Sequence, residues 1–498
     1  MAQKKIYDYK VEPVKNKIIS ALKRRRLEST VTDLVAATGL PTYQVQETMK
    51  VVSNEYRGHM KVTESGEILY YFPYGMRSQL KGFGPAFRRT IRAAWSTTLK
   101  ALAFLFKIWI MVMLVGYFVL FVALLVLAFL ASIAGSFASN SSGSSSRRSR
   151  DGGLGGGMGF FLASQVIRWF IDIWFFSTIV RDAQGGRARR ARRPLHRSVF
   201  SYVFGVGDPN PGWDEAEKKT VIRYIQGNKG IITIEEFMTL TGRDTDSAQH
   251  LLNEYLLEFQ GEPEVTREGS LYYRFNDLLH SKDLPKEPVT RSTSKKSLYP
   301  FSSNKPTTNK WITFFNVVNL LFGGYFLYYS LVVVVPQKGD GFAYLYQITS
   351  FLASRFLGLD PTAVIPIALG IIPLAFSLLF FLVPLVRRAR EKAKNLEIKR
   401  SNFLKRLFDR ILQNPLLVDP RKIQPSGADE TPDRWEIFRD QAAKRFAAAK
   451  GADVEEVDGA FVYRISELDR EQRDVAALRN SVDIASFNIG KTIYDSGE

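Results

Sequence analysis

The sequence predicts a multi-domain α-helical membrane protein, with four transmembrane helices in two hairpins and small α+β modules on the cytoplasmic side. Three observations predict it. Apolar runs of membrane-spanning length alternate with polar stretches, so 46% apolar and 23% charged residues coexist in one chain. Lys and Arg crowd only one flank of each run, and one soluble pattern recurs.

The four runs come first. Residues 108–134 are almost uninterrupted Leu, Val, Ala and Phe, longer than the roughly 20 residues that cross a hydrocarbon core. Trp311 to Val335 and Thr362 to Val386 are free of charge throughout. Met158 to Val180 contains Arg168 and Asp172, each costing about 2.5–3.5 kcal/mol at a helix centre. Four residues apart, these two share a helix face and neutralise each other as an intramembrane pair, structural or functional. In the third run, Asn316, Asn319, Gly323 and Gly324 favour close helix packing and interhelical hydrogen bonds. Pro366, Pro373, Pro384 and Gly370 predict a kinked fourth helix, and residues 342–359 read as an interfacial or re-entrant helix. The first hundred residues are polar, with no cleavable signal pattern expected.

Charge orients the hairpins. Residues 81–107, 181–197, 286–310 and 387–400 hold 26 Lys and Arg against four acids, a net of +22. The whole chain has 68 basic and 49 acidic residues, a net of +19, so everything outside these flanks sums to −3. The excess that first suggests nucleic acid is therefore a topology signal, placing both termini and residues 181–310 in the cytoplasm. Arg187, Arg189, Arg190, Arg192 and Arg193 form the densest basic cluster at the membrane surface, suited to anionic headgroups. Residues 136–157 are Ser- and Gly-rich, a flexible connector lacking the Lys-Ser/Thr of a phosphate loop.

The soluble pattern repeats at an offset of 203. Val62-Thr-Glu-Ser-Gly-Glu-Ile-Leu-Tyr-Tyr-Phe72 aligns with Val265-Thr-Arg-Glu-Gly-Ser-Leu-Tyr-Tyr-Arg-Phe275, and Gly39 aligns with Gly242. A third copy ends in Asp458-Gly-Ala-Phe-Val-Tyr-Arg-Ile465. In the first copy, apolar Val14, Ile18, Ile19 and Leu22 mark one helix face. Thr32 caps a short helix to Thr38, Gly39 offers a left-handed stop, and Thr42 caps a longer helix to Tyr56 with Val45, Met49 and Val52 inward. A hairpin follows over residues 62–72. The second copy repeats this with helices over 215–226, 234–241 and 246–259 and a hairpin over 265–275. Three helices and a hairpin resemble the winged-helix fold. The organisation reads as winged-helix-like modules at 10–75, within 198–278 and, degenerate, at 398–466, with membrane hairpins at 101–180 and 311–386 and a tail at 467–498.

Winged helices often read DNA through their third helix. Here that helix carries Lys50 against Glu47 and Glu55 in the first copy, and Glu254 and Glu258 with no Lys or Arg in the second, so it does not offset phosphate repulsion. The third copy, with Arg434, Arg439, Lys444 and Arg445, holds the residual nucleic-acid reading.

Ser198-Val-Phe-Ser-Tyr-Val-Phe-Gly-Val-Gly-Asp-Pro-Asn210 joins the Arg cluster to the second module as a short element pinned at the membrane surface. Here the sequence resembles a family of uncharacterised multi-pass membrane proteins of bacteria and chloroplasts, in which a similar stretch follows a basic flank. The resemblance implies no activity. Labels of iron–sulfur biogenesis attached to some relatives cannot transfer through thiolates, because the chain has no cysteine. Its four histidines, at 59, 196, 250 and 280, are scattered singly. No catalytic constellation, metal site or cofactor loop is legible. The expected function is a non-enzymatic scaffold of the bacterial inner membrane whose partners are anionic lipid headgroups and other proteins or its own copies. A membrane-tethered transcription regulator is the alternative, and a small-solute or ion transporter the third reading.

Overall fold

The computed structural model describes residues 9–76, 83–139, 194–331 and 343–497, apart from positions 283, 286, 292, 293 and 458. Two compact units emerge. One comprises Met1–Arg89, Asp208–Tyr299 and Lys392–Glu498, and the other Thr90–Gly207 and Pro300–Glu391. The described residues are mostly helical, with small antiparallel sheets, and among them three helices are long and apolar enough to cross a membrane.

The first unit is built from one arrangement used three times. Its first instance runs α1 (Val11–Arg24), β1 (Glu28–Thr30), α2 (Val31–Thr38), α3 (Thr42–Tyr56), β2 (His59–Thr63) and β3 (Ile68–Tyr71). After α4 (Phe83–Ser139) and α5 (Leu195–Phe204) of the other unit, the order returns as α6 (Trp213–Gly227), β4 (Ile231–Ile232), α7 (Ile234–Thr241), α8 (Thr245–Phe259), β5 (Glu262–Val265) and β6 (Leu271–Arg274). The third instance takes its first helix from the polar half of a long helix ending at Gln413. It then has a 3₁₀ turn at Pro420–Lys422, α12 (Trp435–Ala449) and the hairpin β7 (Asp453–Val457) and β8 (Ala460–Arg464). Ladder register shows the equivalence. Ser29 pairs with Tyr70, Ile232 with Tyr273, and Val418 forms an isolated bridge with Tyr463.

Local chemistry explains the helix ends, with two differences from the sequence reading. Thr30, not Thr32, caps α2: its hydroxyl accepts Asp33 N–H at 3.1 Å and the Asp33 carboxylate accepts Thr30 N–H at 3.1 Å. This reciprocal box, repeated by Thr233 and Glu236 on α7, satisfies two otherwise orphaned donors. Thr42 makes no cap hydrogen bond, because it is already the first helical residue and Pro41, with φ −55°, stands at the cap. Gly39 and Gly242 do end their helices in the left-handed region, at φ +69° and +67°.

Those two glycines also stack the instances. A Cβ on Gly39 would lie 3.2 Å from Glu215 O and 3.4 Å from Lys218 Cβ, both on α6, the first helix of the next instance. One on Gly242 would run into Ser401 O and lie 2.8 Å from Lys405 Cγ, on the first helix of the third. Each second helix thus abuts the first helix of its successor, and the apolar faces merge into one core that includes Leu22, Leu34, Met49, Ile225, Phe237, Tyr255, Phe403, Leu407 and Phe446.

Residues 467–498 do not form a tail. They fold as α13 (Ser466–Ser481), a 3₁₀ turn and β9 (Thr492–Asp495), which joins the first sheet in the order β1-β3-β2-β9. Val475 of α13 is buried against Ile231 and Tyr272, so apolar residues too sparse to suggest a core are enough to dock a helix on an existing one.

In the second unit, α4 includes the apolar stretch Thr97–Ile133, α9 is Pro306–Leu331, α10 is Tyr344–Leu357 and α11 is Pro361–Gln413, whose later half belongs to the first unit. The Met158–Val180 run lies outside the described residues. Pro366 lies at the start of a π-helical stretch, Ile365–Ile371, and Pro373 just beyond its end, where the widened turn accommodates a proline that lacks an N–H. Gly370 and Gly323 allow α9 and α11 to touch: a Cβ on Gly323 would lie 3.0 Å from Leu374 N, and one on Gly370 3.2 Å from Leu327 Cα.

Gly242→Ala should therefore cost about 2–5 kcal/mol, combining left-handed strain with overpacking on α11. Gly269→Ala, at φ +93° with no atom within 4 Å of the new methyl, should cost only about 1–2 kcal/mol. Chemical denaturation of the two purified variants reads the difference.

Candidate functional site

A dense set of polar contacts holds an extended strap, residues 294–299, with Arg291 ahead of it, along the polar half of α11. Asn395, Asn402 and Asp409 fall seven residues apart on that helix, so they share one face. Asn395 accepts Tyr299 N–H at 2.7 Å and donates to Tyr299 O at 3.0 Å. Asn402 does the same for Lys296, at 2.9 Å in both directions, and donates also to Asp429 O. Asp409 receives Arg291 Nε at 3.3 Å. A carboxamide has one acceptor and two donors in a plane, so it substitutes for a neighbouring strand where none exists.

The Gly-Asp-Pro-Asn turn completes the grip. Asn210 accepts Ser297 N–H at 2.7 Å and donates to Ser297 O at 2.8 Å. Asp208 Oδ1 accepts Asn210 N–H at 2.9 Å and the Tyr299 hydroxyl at 3.1 Å. In the other unit, the start of the same motif is fixed by Arg387, which donates to Tyr202 O, Val203 O and Phe301 O at 2.9–3.2 Å and pairs with Glu391 at 2.6 Å. There α5 is no loose surface element: Val199, Tyr202 and Val203 are buried with Ile110, Leu114, Ile312 and Phe380.

Beside the strap, Lys405 is only 1% exposed, donates to Ser294 O at 3.0 Å and lies over the Trp213 ring, as does Lys296. Trp213 Nε1 donates to Glu217 at 3.0 Å. An open cleft of about 750 Å³ adjoins this cluster, and its rim balances five cations (Arg243, Lys296, Lys394, Arg400, Arg445) with five carboxylates (Asp208, Asp214, Glu215, Asp244, Glu397). Such a lining gives a polyanion no net attraction.

Ion pairs tie the instances together. Arg479 of α13 holds Glu236 at 2.6 and 2.9 Å and donates to Ile231 O at 2.9 Å. Burial pushes the Glu236 carboxyl up, but Arg479, with the Thr233 N–H, outweighs it and holds the group below the usual carboxylate range. Lys450, after α12, pairs with Glu235 at 2.6 Å and Glu471 at 2.8 Å. Glu430, fully buried, binds Lys295 at 2.6 Å and Arg406 at 2.7 Å, which hold its carboxyl low against the upward push of burial.

Of the intramembrane residues singled out by sequence, Asn316 donates to Ser377 O at 3.0 Å and Asn319 to Leu114 O at 2.8 Å, both fully buried. Gly323 sits at the α9–α11 crossing, whereas Gly324 meets nothing within 4 Å and takes no part in it. Arg168 and Asp172 lie outside the described residues, as do Arg187, Arg189, Arg190, Arg192 and Arg193. Among the described residues no group of His, Asp or Glu is placed to hold a metal ion. The four histidines stay apart: His59 rests on Tyr71, His196 on Phe104 and His280 on Phe487.

Comparison with known proteins brings in a chloroplast relative. The chain is 23% identical over 412 residues to an uncharacterized chloroplastic protein of Arabidopsis thaliana, covering 79% of this chain and 72% of that one. No family model matches, and no solved structure does. The alignment is long enough to take in several elements of both units. It brings no assigned activity with it.

Two outcomes are expected here. Arg479→Leu should cost about 3–5 kcal/mol at pH 7, because it leaves Glu236 charged, buried and unpaired. In the intact protein the pair's contribution is complete above the ordinary carboxylate range and fades as pH falls through the depressed Glu236 value. In the variant the sign reverses, since burial alone raises that pKa, and part of the loss is recovered on acidification. Urea melts at pH 4.5 and 7 separate the two. Asn402→Ala should cost about 2–4 kcal/mol by orphaning the Lys296 amide and two carbonyls, and hydrogen exchange should show Lys296 deprotected while the α7 amides stay slow.

Proposed function

We propose that this chain is a non-enzymatic, membrane-anchored scaffold, whose three stacked modules are winged-helix-like, face the cytoplasm of a bacterial inner membrane and hold other proteins or further copies of the chain. The observation that carries this reading is the use of the recognition surfaces. The hairpins that would lie on DNA in a winged-helix reader are engaged by the chain itself, β2 by β9 and Tyr272 of β6 by α13. In the third module, Arg439 is turned back onto Trp435 and Asp440. Basic side chains spent on internal partners cannot release counterions from a duplex. The runner-up, a membrane-tethered transcription regulator, therefore rests on Lys444 and Arg445 alone in that helix.

Topology supports the same reading. The basic flanks of the apolar stretches favour, by the positive-inside rule, a cytoplasmic side for the modules and suit anionic headgroups. Modules on separate anchors raise the effective concentration of any bound partner. The cleft, with balanced charge, fits a polar protein segment better than a phosphate chain.

The test is capture of the tagged full-length chain from native membranes after chemical crosslinking. A second copy or a reproducible protein partner is expected. Recovery of the uncrosslinked chain alone, together with discrete genomic sites after chromatin crosslinking, would favour the regulator instead.

A further inference from the structure

The strand β9 is held on β2 by backbone pairing and by hydrogen bonds involving side chains at and beside it (Asp495, Ser496, Glu64 and Ser65) rather than by burial. Its pairs are Lys61 with Asp495, Val62 with Tyr494 and Thr63 with Thr492, a register that leaves Ile493 as an extra residue. Ile493 and Tyr494 are 65% and 62% exposed. Within the strand, Asp495 accepts the Tyr71 hydroxyl at 2.6 Å and lies 3.9 Å from Lys61 Nζ. Upstream, Glu64 N–H donates to Lys491 O at 2.9 Å. The edge therefore recognises a short extended peptide with an aspartate at its end, through contacts that a competing strand can reproduce.

The chain contains a second peptide of this kind. Lys4-Lys5-Ile6-Tyr7-Asp8 matches Lys491-Thr492-Ile493-Tyr494-Asp495 at four of five positions. In its own chain Asp8 is bonded directly to Tyr9, whose hydroxyl lies 3.2 Å from Thr48 Oγ1 and 3.4 Å from Gln44 O, on the first half of α3. β2 leaves from the other end of that helix, about 12 Å beyond Thr48 at 1.5 Å per residue. Tyr9 ties this peptide to its own α3, whereas a second chain brings the matching segment to the β2 edge without that tether.

We infer that Lys4–Asp8 of a second copy occupies the β2 edge in place of Thr492–Asp495, with Asp8 received by Tyr71 and Lys61, so that β9 is a removable cover over a self-association site. This rests on the scaffold reading and names its partner as another copy of the chain. Each copy then offers one donor strand and one acceptor edge.

The absence of cysteine allows a clean test. Two differently tagged full-length chains, one Tyr7→Cys and one Val62→Cys, are mixed in mild detergent and oxidised. The expected result is a disulfide-linked heterodimer, raised at least threefold when residues 490–498 are removed from the Val62→Cys chain and reduced to background when the donor also carries Asp8→Ala. No disulfide between the two substituted positions, or a link indifferent to both changes, overturns the inference. Should crosslinking in membranes still recover copies of the chain, the scaffold reading survives that result. A second measurement avoids the truncation: in the double variant Val62→Cys/Tyr494→Cys, the intramolecular disulfide should fall as a synthetic peptide of residues 2–9 is added, and should not fall with the Asp8→Ala peptide. Equal effects of the two peptides also overturn it.

Discussion

The arrangement of the polar unit depends on a missing carbon atom. At Gly39 and again at Gly242, a helix ends in the left-handed region with no side chain, and the first helix of the next module comes to within van der Waals distance of the bare backbone. The same glycine thus meets two demands, one on φ and one on space. A β-carbon would satisfy neither, and the merged core that runs from Leu22 to Phe446 needs that close approach. The series stops at the third module, where the 3₁₀ turn Pro420–Lys422 stands in for the second helix and presents no equivalent glycine. Repeat architectures commonly close with such an atypical copy, which offers no surface for another.

The strap solves a different problem. Residues 294–299 run without belonging to a sheet, and their backbone groups would be costly to bury unpaired. Asn395, Asn402 and Asn210 supply side-chain amides in place of a partner strand, and buried Glu430 gathers Lys295 and Arg406 beside them. The strap is thus gripped twice, through its backbone by these amides and through its own Arg291, Lys295 and Tyr299 side chains.

Much of this was legible in the residues, and the misses have identifiable causes. The helices and hairpins were readable from period and turn chemistry, as were the inward faces of Val45, Met49 and Val52. Cap assignment slipped by one or two residues, since Thr30 and Thr32 offer the same hydroxyl and only the Asp33 partner distinguishes them. The seven-residue spacing of Asn395, Asn402 and Asp409 was present in the sequence, but a polar stripe on a basic helix looks like a solvated face until its partner segment is known. Residues 467–498 were harder: α13 buries little more than Leu468 and Val475, and β9 is mostly exposed. Their order comes from acceptor sites elsewhere in the chain, which no local pattern reveals.

The pairing of β2 with β9 also has a temporal side. Met60 and Ser496, joined by a hydrogen bond, are 436 residues apart. At about 5–20 residues per second, synthesis of the intervening chain takes roughly 20–90 s. During that interval the first sheet has formed its local contacts, yet its outer edge still awaits the strand that finishes it, while the apolar helices are being delivered to the bilayer. An uncovered strand edge is a template for mispairing. The charged Lys61 on β2 is a feature that discourages indiscriminate partners over this period, and maturation of the first module is thereby made to wait for a strand synthesised some 436 residues later.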